Sequence, residues 1–171
     1  MKRHSLVLLM LAFVFMTTCV QAGDDTKDKF EKIKSLAGEW HGKNPAGKPV
    51  TVTYEVVSNG SVVMERIQPV DEPDMITMYH LDGDHLMMTH YCSAMNQPRM
   101  RATSGGDDEN VIRFSLLDVT NLAKPTDGHM QKLVMTFKDK DHLSSQWTFV
   151  ADGKAEAGGP FELERKKISM K

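Results

Sequence analysis

The stretch at residues 75–101, MITMYHLDGDHLMMTHYCSAMNQPRMR, decides the fold. Apolar and polar side chains alternate over Met75–Leu81 and again over His85–Cys92, and Asp82-Gly83-Asp84 separates the two segments. Alternation with a period of two is typical of a half-buried strand, and a short Asp-Gly connection between two such segments predicts a β-hairpin. A polar loop follows, and a further strand is predicted from Arg99.

The register of this hairpin decides which side chains accompany His90. In either register Met88, His90 and Cys92 share one face, which we expect to point to the interior. Two loop lengths remain open, and each brings a different set from the first strand onto that face. A three-residue loop adds Ile76, Met78 and His80, whereas a two-residue loop adds Met75, Thr77, Tyr79 and Leu81.

The chain from Trp40 onwards repeats the same pattern of short alternating segments separated by turn residues. Ser58-Asn59-Gly60 predicts a type I′ hairpin turn, and Gly105-Gly106-Asp107-Asp108 predicts another turn. With a first strand around Trp40, about ten strands are predicted. Each segment pairs most simply with its neighbour, and ten antiparallel strands in that order close into an up-and-down barrel. The other nine predicted strands cover residues 50–57, 61–68, 75–81, 85–92, 99–103, 111–119, 130–138, 143–150 and 161–165.

The first 22 residues are predicted to be a secretory signal peptide. Lys2 and Arg3 form the charged start, residues 6–16 are uninterrupted apolar chain, and Val20-Gln21-Ala22 supplies the small residues at a cleavage site. The apolar segment is shorter than the ~20 residues that span a bilayer, so no membrane span is expected in the mature chain. The sequence thus predicts a secreted or periplasmic protein. Residues 23–37 are predicted to form an amphipathic helix that caps the barrel, and residues 38–171 the all-β barrel itself.

The composition argues against a nucleic-acid partner and against a disulfide framework. The chain has 21 Lys and Arg against 23 Asp and Glu, and no basic cluster with interleaved aromatic residues. Cys19 lies in the predicted signal peptide, so Cys92 has no intrachain partner after cleavage. The hydrophobic core must therefore hold this single domain together.

Leu36-Ala37-Gly38-Glu39-Trp40 joins the predicted helix to the first strand, and Phe161–Lys167 (FELERKK) contains the last strand. A short helix that runs into Gly-x-Trp, followed by meander strands, resembles the lipocalins and the wider calycin group of barrels. The resemblance implies that Trp40 packs across the closed end of the barrel and that Arg165 covers it. The middle of the chain is similar to a family of small secreted lipocalin-like proteins, at Thr89-His90-Tyr91-Cys92, Asn96-Gln97-Pro98-Arg99-Met100, Thr120-Asn121-Leu122, Gly128-His129-Met130 and Asp141-His142.

The favoured function is non-catalytic binding of a small, partly apolar molecule, because a ten-stranded barrel is wide enough to enclose one. Arg66 and Arg101 fall within predicted strands, where a buried guanidinium demands an anionic partner such as a ligand carboxylate. A carboxylate-bearing ligand is therefore one expectation. The candidate ligand-binding residues are Tyr54, Arg66, Met88, His90, Cys92, Asn96, Arg99 and His129.

Two other functions remain open. The soft ligands of the 75–101 stretch suit Cu(I), although alternation divides them between two faces, and haem with His90 as axial ligand is a variant. An enzyme would use Cys92 as nucleophile and His90 as base, but side chains two residues apart on a strand lie about 7 Å apart, long for a hydrogen bond. The candidate metal ligands are His80, His85, His90, Cys92, Met87 and Met88.

Overall fold

A computed structural model describes residues 22–103 and 108–167 of the chain. The predicted signal peptide before Ala22 and the predicted turn at residues 105–107 lie outside the described residues. The described part forms one helix and eleven strands. The bounds are α1 Ala22–Lys34, β1 Gly38–Lys43, β2 Pro49–Val57, β3 Val62–Pro69, β4 Met75–Asp82, β5 His85–Tyr91, β6 Gln97–Ala102, β7 Val111–Thr120, β8 His129–Phe137, β9 His142–Ala151, β10 Lys154–Ala157 and β11 Phe161–Arg165.

The strands form a closed antiparallel barrel, as the sequence predicted. Strands β1 to β8 pair in chain order, β8 pairs with β9, β9 with β11, and β11 returns to β1. Ten strands thus complete the ring, and β10 adds a short hairpin to the far half of β9. The predicted fold class, an all-β up-and-down barrel preceded by a short helix, is confirmed.

The β4–β5 hairpin has the two-residue loop, Gly83-Asp84, because Asp82 pairs with His85. Gly83 takes a positive φ of 56°, a conformation that glycine adopts without a Cβ clash. The register places Thr77 opposite His90 and Tyr79 opposite Met88, and all four side chains are buried. Of the two registers that the sequence left open, the second is therefore present.

Two other connections differ from the predicted ones. Residues 58–61 form a four-residue loop with a short 3₁₀ turn, in which Ser58, Asn59 and Gly60 all have positive φ, so the predicted type I′ turn is wrong. The strand β10 was not predicted. It follows Asp152-Gly153, a two-residue loop with positive φ at both positions, as a type I′ turn requires.

The helix α1 lies against one end of the barrel and buries an apolar stripe there. Phe30 and Ile33 on α1, and Leu36 just after it, are buried in the same core as the barrel interior. Lys32 Nζ donates to the Glu109 carbonyl oxygen at 2.6 Å, and Thr26 Oγ1 donates to the carbonyl of Asp84 at 3.0 Å. These contacts hold the helix across the ends of the β4–β5 and β6–β7 connections.

Trp40 and Arg165 meet at this helix-covered end. The indole is fully buried, and its Nε1 donates to the carbonyl of Leu36 at 2.8 Å. The Arg165 guanidinium lies 4.3 Å from the Trp40 ring centroid and donates to the carbonyls of Ala37, Ser35 and Lys140. One side chain therefore links β11, the chain after α1 and the β8–β9 connection.

Candidate functional site

A buried carboxylate lies at the middle of the barrel. Glu65 on β3 is 3% exposed and accepts hydrogen bonds from the Tyr54 hydroxyl at 2.6 Å and the Tyr79 hydroxyl at 2.9 Å. Strand pairing explains the meeting, because Tyr54 is the register partner of Glu65 on β2 and Tyr79 lies two residues from its partner Thr77 on β4. Each phenol hydroxyl donates to a different oxygen of the Glu65 carboxylate.

Next to Glu65, Thr77 orients the imidazole of His90. Thr77 pairs with Glu65 on one side and with His90 on the other, and its hydroxyl lies 2.9 Å from His90 Nδ1. The Thr77 hydroxyl also lowers the pKa of Glu65, as expected of a hydroxyl whose single proton is directed towards that carboxylate. We therefore assign the proton of the imidazole to Nδ1, which donates to Thr77. His90 Nε2 then carries a lone pair, is buried, and has no hydrogen-bond partner within the described part of the chain.

Burial shifts the pKa values of these groups in directions set by their charge. Loss of solvation lowers the pKa of His90 from 6.5 to about 4, so the imidazole is neutral near pH 7. The same loss raises the pKa of Glu65, while the hydroxyls of Tyr54, Thr77 and Tyr79 act in the opposite direction. Burial, followed by the charge of Glu65, raises the pKa of Tyr54 and Tyr79 well above 10.

The opposite wall of the barrel completes a ring of polar groups. The Trp147 ring on β9 lies 4.5 Å from the His90 ring, centroid to centroid, at an interplanar angle of 40°. Ser145, two residues before Trp147, is buried beside Tyr54, and its hydroxyl has no partner that meets hydrogen-bond geometry among the described residues. We call the whole set the polar belt; it consists of Tyr54, Glu65, Thr77, Tyr79, His90 and Ser145.

A second polar group lies towards the end of the barrel opposite α1. Asn96 is buried and its Nδ2 donates to the carbonyl of Gly128 at 2.8 Å, while its Oδ1 has no partner within the described chain. His129 is 8% exposed, and its Nδ1 donates to the carbonyl of Asp127 at 2.9 Å. Gly128 is packed so closely against Phe149 that a Cβ atom there would lie 2.4 Å from the ring.

The structure divides the predicted ligand-binding residues into three groups. Tyr54, Met88, His90, Asn96 and His129 are buried. Cys92 follows the end of β5, is half-buried, and no histidine hydrogen bonds to its thiol in the described part of the chain. The remaining two are Arg66 and Arg99.

Both arginines face outwards and pair with surface carboxylates. Arg66 bonds Asp74 at 3.5 Å, and Arg99 forms a two-pronged pair with Asp118. Arg101, the register partner of Met87, is likewise exposed. The expectation that buried arginines recruit an anionic ligand is therefore not met by these three side chains.

The sequence-based site prediction missed Glu65, Thr77, Tyr79 and Ser145 of the polar belt, and Trp147 beside His90. Glu65 and Tyr79 fall on the same alternating faces as Val63 and Leu81, so the period of two contained the information. Trp147 falls in the predicted strand 143–150, but no role in the site was predicted for it. What the sequence lacked was the pairing of β2, β3 and β4 that brings two phenols onto one carboxylate.

The exterior carries two grooves that none of the eight predicted ligand-binding residues lines. One, of about 530 Å³, lies between α1 and the start of β7, and the other, of about 320 Å³, lies beside β6 and β7. Among the described residues no group of three or more His, Cys, Asp or Glu side chains is arranged to hold a metal ion. Within the same residues, no helix has the length and apolar content needed to cross a membrane.

No protein-family model matches this chain, and no curated protein matches it significantly.

Proposed function

We propose that this protein is a non-catalytic carrier that binds a small, mostly apolar molecule inside a lipocalin-like barrel. The observation that carries the proposal is His90 Nε2, a buried acceptor without a hydrogen-bond partner among residues 22–103 and 108–167. Buried polar atoms in folded proteins nearly always have a hydrogen-bond partner. A buried acceptor without one therefore suggests that a donor group of a bound ligand is its partner. Asn96 Oδ1, towards the end of the barrel opposite α1, likewise has no partner among the described residues.

The polar atoms favour a neutral ligand that donates a hydrogen bond. His90 Nε2 and Asn96 Oδ1 are acceptors, and the Trp147 ring supplies apolar contact area next to the His90 imidazole. Glu65 places a carboxylate in the same interior, while the three arginines discussed above lie outside. Two carboxyl groups in one buried interior disfavour each other's charged form, so we replace the expected ligand carboxylate with a hydroxyl or N–H group.

The proposed location of the protein follows from the N-terminal residues. The charged start, the apolar segment and the Val20-Gln21-Ala22 site support export with cleavage after Ala22. Mass spectrometry of the N-terminus of protein recovered from the extracytoplasmic fraction tests this proposal, and an uncleaved chain in the cytoplasm would contradict it.

The binding proposal is tested with three probes of matched shape: 1-naphthol, naphthalene and 1-naphthoate. We expect His90→Leu to weaken 1-naphthol binding about tenfold in isothermal titration calorimetry, the worth of one neutral hydrogen bond, and to leave naphthalene unaffected. The wild-type protein should bind 1-naphthoate more weakly than 1-naphthol, because of Glu65.

The matched control is His85→Leu, which removes an exposed imidazole from the first residue of the same strand. It should bind all three probes as the wild type does. In NMR spectra, 1-naphthol should shift the indole resonance of Trp147 and leave that of Trp40, at the helix-covered end, in place. Equal 1-naphthol affinities for His90→Leu and the wild type, or tighter binding of 1-naphthoate, would refute the proposal.

The same nitrogen supports haem as a second candidate ligand. A histidine that ligates iron usually donates its other ring N–H to a fixed acceptor, and His90 Nδ1 donates to Thr77 in this way. Titration with haemin distinguishes the two candidates. A stoichiometric Soret band that His90→Leu abolishes and His85→Leu preserves would favour haem over the organic ligand.

A further inference from the structure

Four soft or nitrogen ligands lie together on the outside of the barrel, on the opposite face of the strands that carry the polar belt. They are Met64 on β3, Met78 and His80 on β4, and Met87 on β5. Each is half-buried and alternates with interior residues such as Glu65, Tyr79 and Met88. We call this set the outer methionine cluster. It includes Met64, which lies outside the 75–101 stretch, and excludes His90 and Cys92.

Strand register brings the four side chains within reach of one another. Met64 is the direct partner of Met78, and His80 is the direct partner of Met87. Direct partners have Cβ atoms about 5 Å apart, and diagonal neighbours such as Met78 and Met87 about 7–8 Å. Methionine has an unbranched, flexible chain that ends in a polarisable thioether, so these separations permit convergence on one small ion.

The imidazole of His80 is oriented as a metal ligand requires. Its Nδ1 lies 3.2 Å from the carbonyl oxygen of Leu81, and because a carbonyl only accepts, Nδ1 carries the proton. Nε2 therefore presents its lone pair on the outer face. A backbone carbonyl that fixes the tautomer in this way is a common second partner of metal-ligating histidines.

We propose that the outer methionine cluster binds a soft monovalent cation, Cu(I) in particular. His80 Nε2 and Met78 Sδ are two of the ligands, and the thioether of Met87 or Met64 is the third. Thioethers select Cu(I) over hard or divalent ions. Arg101 is the register partner of Met87, and its positive charge opposes a doubly charged ion more than a singly charged one.

The test uses Ag(I), which has the same charge and ligand preference but no accessible redox step, followed by Cu(I) in a buffered competition with bicinchoninate. We expect one Ag(I) per chain, and a loss of affinity of at least tenfold in His80→Leu and in Met78→Leu. In methyl-labelled protein, the ε-methyl resonances of Met78 and of Met87 or Met64 should shift on addition of Ag(I).

Matched variants separate this site from unspecific thioether binding and from the barrel interior. Met95→Leu removes a methionine that is 78% exposed in the β5–β6 connection, and His90→Leu removes the interior imidazole. Both should bind Ag(I) as the wild type does, with circular dichroism confirming that all variants fold. If His80→Leu and Met95→Leu lose affinity equally, or if only His90→Leu loses it, the proposal is wrong.

Discussion

His90 and Glu65 are buried in the same polar belt, yet burial moves their pKa values in opposite directions. The pKa of His90 falls to about 4 because the charged imidazolium is poorly solvated, whereas the pKa of Glu65 rises because the charged carboxylate is poorly solvated. Thr77 lies between them: its hydroxyl is 2.9 Å from His90 Nδ1 and lowers the pKa of Glu65. Each residue therefore links the stability of the fold to pH with its own sign.

The sign for His90 follows from its protons. Between pH 6.5 and 4 the unfolded chain binds a proton at this histidine and the folded chain does not, so stability falls as pH falls. The full loss is about 3 kcal/mol. Glu65 has the opposite effect on stability. Above pH 4.5 the unfolded chain loses this proton, whereas the raised pKa lets the folded chain keep it, so the contribution of Glu65 to stability rises as pH falls.

Urea denaturation at pH 7, 5.5 and 4 should show these two contributions. His90→Gln keeps a hydrogen-bonding side chain but cannot titrate, so its stability should fall with acid by about 3 kcal/mol less than that of the wild type. Glu65→Gln should show a steeper acid loss than the wild type, because it removes the opposing group. Parallel stability profiles for the wild type and His90→Gln would contradict the assignment.

The arginine beside Glu65 shows what period-two alternation cannot decide. In Val62–Ile67 one face holds Val62, Met64 and Arg66, and the other holds Val63, Glu65 and Ile67. Each face has two apolar residues and one charge, so the pattern predicts a strand but not which face is interior. The partners decide: two phenols reach Glu65 inside, and Asp74 reaches Arg66 outside. That information lies in other strands.

At the scale of elements, Arg165 fixes the join between helix and barrel. The carbonyls of Ser35 and Ala37 follow the last turn of α1 and lack helical partners, and the Arg165 guanidinium satisfies both while it covers Trp40. A lysine would keep the charge but not the planar fork that serves several acceptors at once.

Arg165→Lys should therefore lower the free energy of unfolding by about 2 kcal/mol, the order of a lost charged hydrogen bond together with weaker contact on the indole. Arg99→Lys is the matched control, since Arg99 forms a surface pair with Asp118 and contacts no orphan carbonyl. It should be indistinguishable from the wild type in chemical denaturation. Equal effects of the two substitutions would show that the fork on the helix end is unimportant.

The hairpins show how far turn chemistry predicts connections. Asp82-Gly83-Asp84 predicted the β4–β5 hairpin correctly but allowed two loop lengths, and strand pairing selected one. Asn59-Gly60 is a strong two-residue signature, yet Val57 pairs with Val62 and the loop takes four residues. Asp152-Gly153 has the same kind of signature and does form the two-residue loop, before a strand whose residues are all exposed. Such a strand has no apolar alternation from which it could be predicted.

At the scale of the molecule, the barrel was predictable because its evidence repeats along the chain. Regular strand spacing, one apolar face per strand and sequential pairing all indicate the same closed ring, and errors at single turns do not change it. The site was less predictable, because the polar belt draws on five strands whose contact depends on barrel closure. Of the polar belt, Tyr54 and His90 were among the residues chosen from the sequence, and Glu65, Thr77, Tyr79 and Ser145 were not.

Local stability should vary across the ring according to how each strand is paired. β4 pairs on both sides and carries Thr77 and Tyr79, which are fully buried, whereas β10 pairs only with β9 and is exposed throughout. In hydrogen-exchange mass spectrometry, amides of β10 should exchange through local opening, and those of β4 only through global unfolding. Protection of β10 equal to that of β4 would contradict this arrangement.

The closure of the ring also determines how two molecules can meet. An open sheet offers a row of unpaired N–H and C=O groups on which another chain can add a strand, the usual first step towards fibrils. Here each of the ten ring strands has a neighbour on both sides, although the second half of β7 pairs only with β6, and β10 presents a short free edge with Lys154 and Glu156 on it. The fold thus limits fibril growth by strand addition to short edge segments, and concentrated protein should resist such growth while the ring stays closed.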